Sequence, residues 1–167
     1  AIKIEYELQN LGGNKYRYIY NVINDGSLGS GVPIKLFDIL FETSLYNAIT
    51  IATPNYLKSN WDEQILSSLP GIAISYDALS NAGGIPVGSS IKGFAIEFNW
   101  LGSGIPGTQQ FEIYDSNNFM LLEQGVTESS SIEPASIPTL SQIGLIILTL
   151  ALWLVSMRYF QSRQSNF

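Results

Sequence analysis

The side chains that could act on a substrate are limited, because the 167-residue sequence contains neither histidine nor cysteine. This excludes an imidazole base, a thiolate nucleophile, a disulfide framework and the usual zinc or haem ligands. Two pairs of carboxylates remain, Glu5 with Glu7 and Asp62 with Glu63. Glycoside hydrolysis needs two carboxylates facing one another across the substrate. Adjacent residues of a strand point to opposite faces, and alternate acidic residues usually share a solvated face. We therefore predict that the protein is not an enzyme.

Three tyrosines, Tyr16, Tyr18 and Tyr20, alternate along one predicted strand and therefore share one of its faces. An exposed row of aromatic rings would form a stacking platform for a glycan, which makes polysaccharide one predicted partner. The alternative is that the row belongs to the hydrophobic core or forms a cross-strand aromatic ladder. That role is the commoner one for such a row.

Calcium is the only metal that the remaining side chains suggest. Hard oxygen ligands cluster at two places, Asn24 with Asp25 and Asp115 with Asn117 and Asn118. Neither cluster follows the spacing of a complete calcium loop, and the formation of turns also explains both. The prediction is that the protein has no cofactor, with Ca²⁺ as the alternative.

The charge of the chain is low and unevenly distributed. Charged residues make up 13% of the sequence, the net charge is −6, and hydrophobic residues make up 46%. A negative protein of this kind is unsuited to phosphate contacts, so nucleic acid is not a predicted partner. All 14 acidic residues and six of the eight basic residues lie within residues 1–133. The chain therefore has an acidic body followed by an apolar segment with a short basic tail.

Alternating hydrophobic residues predict that the body is β-structure throughout. Ile2, Ile4, Tyr6 and Leu8 alternate with polar residues, and turn signals recur every 8–12 residues along the body. This pattern predicts a mainly β fold, an antiparallel β-sandwich of about eight or nine strands over residues 1–127. Residues 60–66 are predicted to form one helical turn or a loop. The Ser/Glu/Pro-rich residues 128–137 are predicted to be a linker.

An apolar segment follows the linker, with 24 uncharged residues between Glu133 and Arg158. Pro138 cannot lie inside a helix, so we predict a single hydrophobic α-helix that begins near Leu140. The 18 residues to Met157 would span roughly 27 Å, and continuing to residue 160 reaches about 30 Å, the thickness of the hydrocarbon core of a bilayer. The apolar side chains expected to contact a membrane or other copies of the chain are Ile143, Leu145, Ile146, Ile147, Leu148, Leu150, Leu152, Trp153, Leu154 and Val155.

Three environments suit this helix. Residues 140–160 would cross or enter a membrane, transiently or permanently, with Arg158 and Arg163 on the cytoplasmic side. The alternatives are burial in the core of a larger domain, or burial against other copies of the chain.

The start of the segment carries a recognisable motif, which consists of Ile137, Pro138, Thr139, Leu140 and Ser141, followed by Gly144. Together with the apolar helix and the arginine-bearing tail, this motif resembles the IPTL type of C-terminal protein-sorting signal, a relative of the PEP type found on secreted proteins of Gram-negative bacteria. The usual pattern has Trp before the Gly, where this sequence has Ile143. The resemblance covers residues 138–167 and implies export to the cell surface or extracellular matrix, passing through the inner membrane. We also expect that a signal peptide has been removed before Ala1.

These observations favour a structural role. The main hypothesis is a non-enzymatic protein of the cell surface or biofilm matrix that self-assembles into a filament or polymer through its C-terminal hydrophobic helix. The alternative is a membrane-anchored or surface-released β-sandwich that binds polysaccharide. A third hypothesis is a periplasmic protein whose helix stays in the inner membrane.

Overall fold

The computed structural model describes residues 1–67 and 73–130, and Ala1–Ser130 form one compact unit. These described residues form ten strands and one helical turn. The strands are β1 (Lys3–Gly12), β2 (Lys15–Asn24), β3 (Leu36–Phe41), β4 (Tyr46–Ile51), β5 (Trp61–Leu66), β6 (Ile74–Ser80), β7 (Ser89–Trp100), β8 (Gln110–Tyr114), β9 (Leu121–Val126) and β10 (Glu128–Ser129). The helical turn, α1 (Asn55–Lys58), lies between β4 and β5.

The strands form two five-stranded sheets whose inner faces share one core. Sheet 1 has the order β10-β1-β2-β7-β4, and sheet 2 has the order β5-β6-β3-β8-β9. Neighbouring strands are antiparallel, except that β10 runs parallel to β1. The prediction of a mainly β, antiparallel sandwich is therefore confirmed.

The inward-facing side chains of both sheets make up the core, and the alternation in the sequence predicts which they are. On β2, Tyr18, Tyr20 and Val22 are fully buried, while the residues between them are partly exposed. Aromatic rings from the two sheets meet in the centre, where the ring centroids of Phe37 on β3 and Phe94 on β7 are 5.0 Å apart. Edge-to-face contacts of this kind stabilise the core in addition to the burial of area.

Residues 60–66 correct one prediction, since they contain β5 rather than a helical turn or a loop. Trp61 is buried, and Glu63 points inward, where one carboxylate oxygen accepts hydrogen bonds from the hydroxyls of Tyr76 and Thr53. The inward face of the strand therefore carries a carboxylate. This interrupts the alternation of apolar and polar residues by which a strand is predicted from sequence. The helical turn occurs five residues earlier, after Pro54.

The end of the sandwich also differs from the prediction. Glu128 and Ser129 pair with Glu5 and Tyr6 as β10, and the amide of Ser130 donates a hydrogen bond to the carbonyl of Tyr6. The first three residues of the predicted linker 128–137 are thus part of the folded unit. Their backbone groups bond to the outer edge of β1, which a composition argument cannot reveal.

The predicted C-terminal helix, the basic tail and the sorting motif from Ile137 to Gly144 lie outside the described residues. Within residues 1–67 and 73–130, no helix has the length and hydropathy needed to cross a membrane.

Candidate functional site

The tyrosine row of β2 is part of the core and cannot bind a glycan. Tyr16, Tyr18 and Tyr20 are all buried, and the ring of Tyr18 lies 4.9 Å from that of Phe98 between centroids. The hydroxyl of Tyr20 donates a hydrogen bond to the buried side chain of Gln109 at 3.1 Å. Burial raises the pKa of Tyr20 well above its ordinary value. The structure therefore contradicts the stacking-platform interpretation and agrees with the core alternative.

The two oxygen-rich clusters form turns. The carboxylate of Asp115 accepts hydrogen bonds from the backbone and side-chain amides of Asn117, and the side chain of Asn118 accepts one from the amide of Met120. Asp25 accepts a hydrogen bond from the amino group of Ala1 at 2.7 Å, which is the largest cause that lowers its pKa to about 2. Among the described residues, no three acidic side chains are arranged to hold a metal ion.

The two carboxylate pairs lie on the faces that the alternation predicts. Asp62 is exposed on the outer face of sheet 2, whereas Glu63 points into the sandwich. Glu5 and Glu7 lie on the outer face of sheet 1, where Glu5 accepts a hydrogen bond from the side chain of Asn21 and Glu7 pairs with Lys92.

A groove on the outer face of sheet 1 is the site with the clearest capacity to bind a ligand. It has a volume of about 430 Å³, within the range of small-molecule sites. Its walls are Ile19 of β2, Ala95 of β7, and Ala52 and Pro54 of the segment that follows β4. Tyr56 of α1 stands in the groove with 65% of its surface exposed.

A β-bulge in β7 allows Tyr56 to lie against the sheet. Tyr20 pairs with Phe94 and Asn21 pairs with Lys92, so Gly93 is the extra residue, with φ at +125°. A Cβ on Gly93 would be only 2.7 Å from the hydroxyl oxygen of Tyr56. The backbone conformation therefore favours glycine here, and the absence of a side chain lets the phenol ring approach the strand.

The segment that carries Tyr56 is anchored to β7 by hydrogen bonds. The amide of Ala52 donates to the carbonyl of Ala95 at 2.7 Å, and the amide of Ala95 donates to the hydroxyl of Thr53 at 2.9 Å. Pro54 is the N-cap residue of α1, and the buried side chain of Leu57 anchors the turn to the body. The backbone is thus anchored on both sides of Tyr56.

The two cations that line the groove are each paired with a carboxylate. Arg17 Nε donates a hydrogen bond to Glu97 at 3.2 Å, and Lys92 Nζ lies 3.3 Å from Glu7. Hydrogen bonds from Lys15 and then from Arg17 lower the pKa of Glu97, so this carboxylate is ionised at neutral pH. The groove therefore combines an apolar floor and an exposed ring with cations that are already bound to carboxylates.

A second cavity, of about 650 Å³, lies at one end of the sandwich. Its aromatic residues are Tyr46 and Trp100, whose ring centroids are 5.1 Å apart, and both are more than nine-tenths buried. The side-chain amide of Gln109 is already bonded to Tyr46, Tyr20 and Thr127. In the described part of the chain the indole nitrogen of Trp100 has no hydrogen-bond partner, but it is buried. The rings of this cavity are engaged in packing, so the Tyr56 groove is the better candidate.

Sequence reasoning missed Tyr56. Its immediate neighbours are polar or charged except for Leu57, so no alternation marks it. One feature of the sequence could have identified it. Tyr56 is an aromatic residue two positions after a proline, in a segment with two asparagines and a lysine, and packing in the core would not explain an aromatic residue there.

Comparison with known proteins identifies no family. No family model matches the chain, and no curated protein is a significant match. Similar solved structures include the carbohydrate-binding module CBM3b, as a single-residue variant, of cellobiohydrolase 9A from Clostridium thermocellum. It is 12% identical over 76% of this chain and 88% of that chain, with a TM-score of 0.42. Another is a chain of the Coh-OlpA–Doc918 type I cohesin–dockerin complex from the same organism, 16% identical over 76% of this chain and 99% of that chain, with a TM-score of 0.40. At these low identities and TM-scores, neither similarity assigns a function to this chain.

Proposed function

We propose that this protein is a non-enzymatic, exported β-sandwich that binds a neutral polysaccharide in the Tyr56 groove. The observation that carries the proposal is the exposed ring of Tyr56, which lies over the bulge at Gly93 in an open groove, on a segment whose backbone is anchored on both sides. An exposed aromatic ring offers a large apolar face, and the C–H face of a sugar ring is its natural partner. This is the polysaccharide-binding alternative of the sequence analysis, with Tyr56 in place of the tyrosine row.

The charges around the groove favour a neutral chain over an acidic one. Arg17 shares the carboxylate of Glu97 with Lys15, and Lys92 pairs with Glu7, so each cation of the groove already has a carboxylate partner. A polyanion would also approach an acidic body, since every carboxylate of the protein lies within residues 1–133. Sugar hydroxyls, in contrast, can donate to the paired carboxylates and accept from the guanidinium without breaking the ion pairs.

The test is to measure the binding of soluble neutral glucans and of a polyuronate by calorimetry, with the wild type and two variants at position 56. Tyr56→Ala should weaken binding of the neutral glycan by about ten-fold, because it removes one stacking surface. Tyr56→Phe should retain most of the affinity, because the ring remains.

The matched control is Ile105→Ala, which removes a large exposed apolar side chain from the β7–β8 connection. It should leave glycan binding unchanged. The proposal is wrong if the wild type binds none of the glycans, or if Tyr56→Ala and Ile105→Ala weaken binding equally.

Export to the cell surface is part of the proposal and rests on the sorting-signal-like motif of residues 137–144, with its following apolar segment and arginines. Fractionation of the native cells would locate the protein. Recovery at the surface or in the matrix agrees with this role, and exclusive recovery in the inner membrane would favour the periplasmic hypothesis.

Self-assembly into a filament is the second candidate function. The observation in its favour is the run of 24 uncharged residues before Arg158, which would be costly to leave in water. Electron microscopy of the full chain beside a chain ending at Glu133 tests it. Filaments from the full chain alone would agree with assembly through the apolar segment, and dispersed particles from both would contradict it.

A further inference from the structure

The four outer edges of the sandwich differ in how they are protected against pairing with another strand. Sheets usually protect an edge by covering it, bending it or placing charges on it. In sheet 1, β10 covers part of β1, and β4 is interrupted at Ala48, where φ is +52° and the register with β7 shifts. In sheet 2, β5 carries an acid that faces outward, the exposed Asp62.

Strand β9 has the least protected edge. Its sequence from Leu121 to Val126 contains no lysine and no proline. The register irregularity with β8 lies at its start, beside the hairpin, which leaves Glu123 to Val126 regular. In the described part of the chain, no strand lies on the other side of β9.

The same strand and its turn concentrate exposed apolar surface. Eleven large hydrophobic residues of the described chain are exposed, and five of them lie between residues 119 and 126. They are Phe119, Met120, Leu121, Leu122 and Val126, each at least 45% exposed. Such a concentration of exposed apolar side chains on one edge strand and its turn is typical of an interaction site.

The turn holds Phe119 in an unfavourable conformation that presents it to solvent. Its φ is +58°, a region that favours glycine or asparagine over a bulky residue. Hydrogen bonds fix the turn, from the amide of Phe119 to the carbonyl of Asp115 at 2.8 Å and from the amide of Asp115 to the carbonyl of Met120 at 2.9 Å. A partner that covered the ring would offset the cost of this conformation.

The charge pattern allows a second copy of this acidic chain to be the partner. The one charged residue between 119 and 126 is Glu123, and it is turned inward, where its carboxylate accepts hydrogen bonds from the amide of Ile2 and the hydroxyl of Ser27. Two copies of this acidic protein can therefore bring their β9 edges together without opposing like charges at the contact. Identical antiparallel strands can pair about a two-fold axis perpendicular to the sheet, which closes the interface.

We propose that β9 is a self-association edge, at which β9 of one copy pairs antiparallel with β9 of a second copy. Opposed residues of paired strands point to the same side of the sheet, so one residue of β9 must face its own equivalent. A centre at Gln124 places Leu122 opposite Val126 and keeps Glu123 opposite Gly125. A centre at Glu123 would instead oppose two carboxylates.

Disulfide trapping in the full chain tests this geometry, because the sequence has no cysteine of its own. Gln124→Cys should form a disulfide-linked dimer on mild oxidation, because opposed strand residues lie within bonding distance. The matched control is Gln64→Cys, the exposed glutamine on the opposite edge strand β5 of the same sheet. We expect cross-linking at position 124 to be roughly ten-fold faster or more than at position 64.

A second change separates strand pairing from other causes of proximity. Adding Leu122→Lys to Gln124→Cys places a charge on the edge and should reduce cross-linking to the rate at position 64. Circular dichroism and unfolding curves establish that each variant is folded. Equal rates of cross-linking at positions 64 and 124 would overturn the proposal, and they are the result expected if the chains associate through the C-terminal segment alone. The absence of cross-linked dimers would also overturn it, and that is the result expected if β9 binds a different partner. Glycan binding and filament formation are measured separately, so their failure is distinguishable from this one.

Discussion

Replacing Asp77 by asparagine should stabilise the protein at pH 8 and have little effect at pH 4. Asp77 lies on the outer face of sheet 2, in a row of residues that are directly paired across five strands. The row is Gln64, Asp77, Asp38, Glu112 and Gln124. No ion pair among the described residues involves its three carboxylates. Burial, followed by the charge of Asp38, raises the pKa of Asp77 to about 7.

The sign of the effect follows from proton binding. In the unfolded chain Asp77 has its ordinary pKa of 3.8, so between pH 4 and pH 7 the folded protein binds more protons than the unfolded chain. The stability that this group contributes is fully present below pH 3.8 and is lost as pH rises through 7. A pKa shift of this size corresponds to about 4 kcal/mol in the free energy of unfolding when it acts in full. We expect screening by solvent at this half-buried carboxyl to reduce the contribution to about 1–2 kcal/mol.

Urea unfolding at several pH values between 4 and 8 measures this contribution. The free energy of unfolding of the wild type should fall with pH relative to that of Asp77→Asn, and the two curves should converge near pH 4. Asp62→Asn is the control, because Asp62 lies on the same face but is exposed. Parallel curves for the wild type and Asp77→Asn would refute the reasoning, as would an equal gain from Asp62→Asn.

Two buried polar residues allow further predictions about stability. Thr127→Val should lower the free energy of unfolding by about 1–3 kcal/mol, because the Thr127 hydroxyl forms hydrogen bonds with both the backbone amide and the side chain of buried Gln109. The control is Thr108→Val, at an exposed threonine, which should have little effect. Asn24→Asp should lower the free energy of unfolding by about 2–4 kcal/mol at pH 7, because the Asn24 side chain donates hydrogen bonds to two main-chain carbonyls and a carboxylate cannot. The loss should be smaller at low pH, where a protonated carboxyl can donate one hydrogen bond. Chemical denaturation checks both, and a loss at Asn24 no larger than that of the exposed Asn55→Asp would contradict the second.

The predictable part of the fold is the part in which one face of a strand is uniformly apolar. The alternation of Tyr16 to Val22 predicts both the strand and its buried face. The burial of every second side chain makes the largest contribution to the free energy that stabilises this strand. In β5 the same rule fails, since Glu63 occupies an inward position and accepts hydrogen bonds from Tyr76 of β6 and from Thr53 of the segment after β4. Only the tertiary structure supplies those partners.

The candidate site was less predictable for a related reason. The tyrosines of β2 have the composition of a binding face but lie inside, because they are on the face of the strand that packs in the core of the sandwich. Tyr56 has no periodic context, and its position depends on the bulge at Gly93, which is created by pairing between β2 and β7. A bulge is a property of two strands in register, so neither strand reveals it alone.

The two proposed surfaces are compatible with one another because they lie on different sheets. Pairing through β9 would extend sheet 2 and leave the outer face of sheet 1 uncovered. A two-fold axis perpendicular to sheet 2 keeps both copies of sheet 1 on the same side, so the two Tyr56 grooves of a pair would face the same direction. One polysaccharide chain, or one surface coated with it, could then occupy both grooves, and the second contact would form at high effective concentration. A shallow groove of modest affinity would thereby become a firm attachment without any additional contact in either copy.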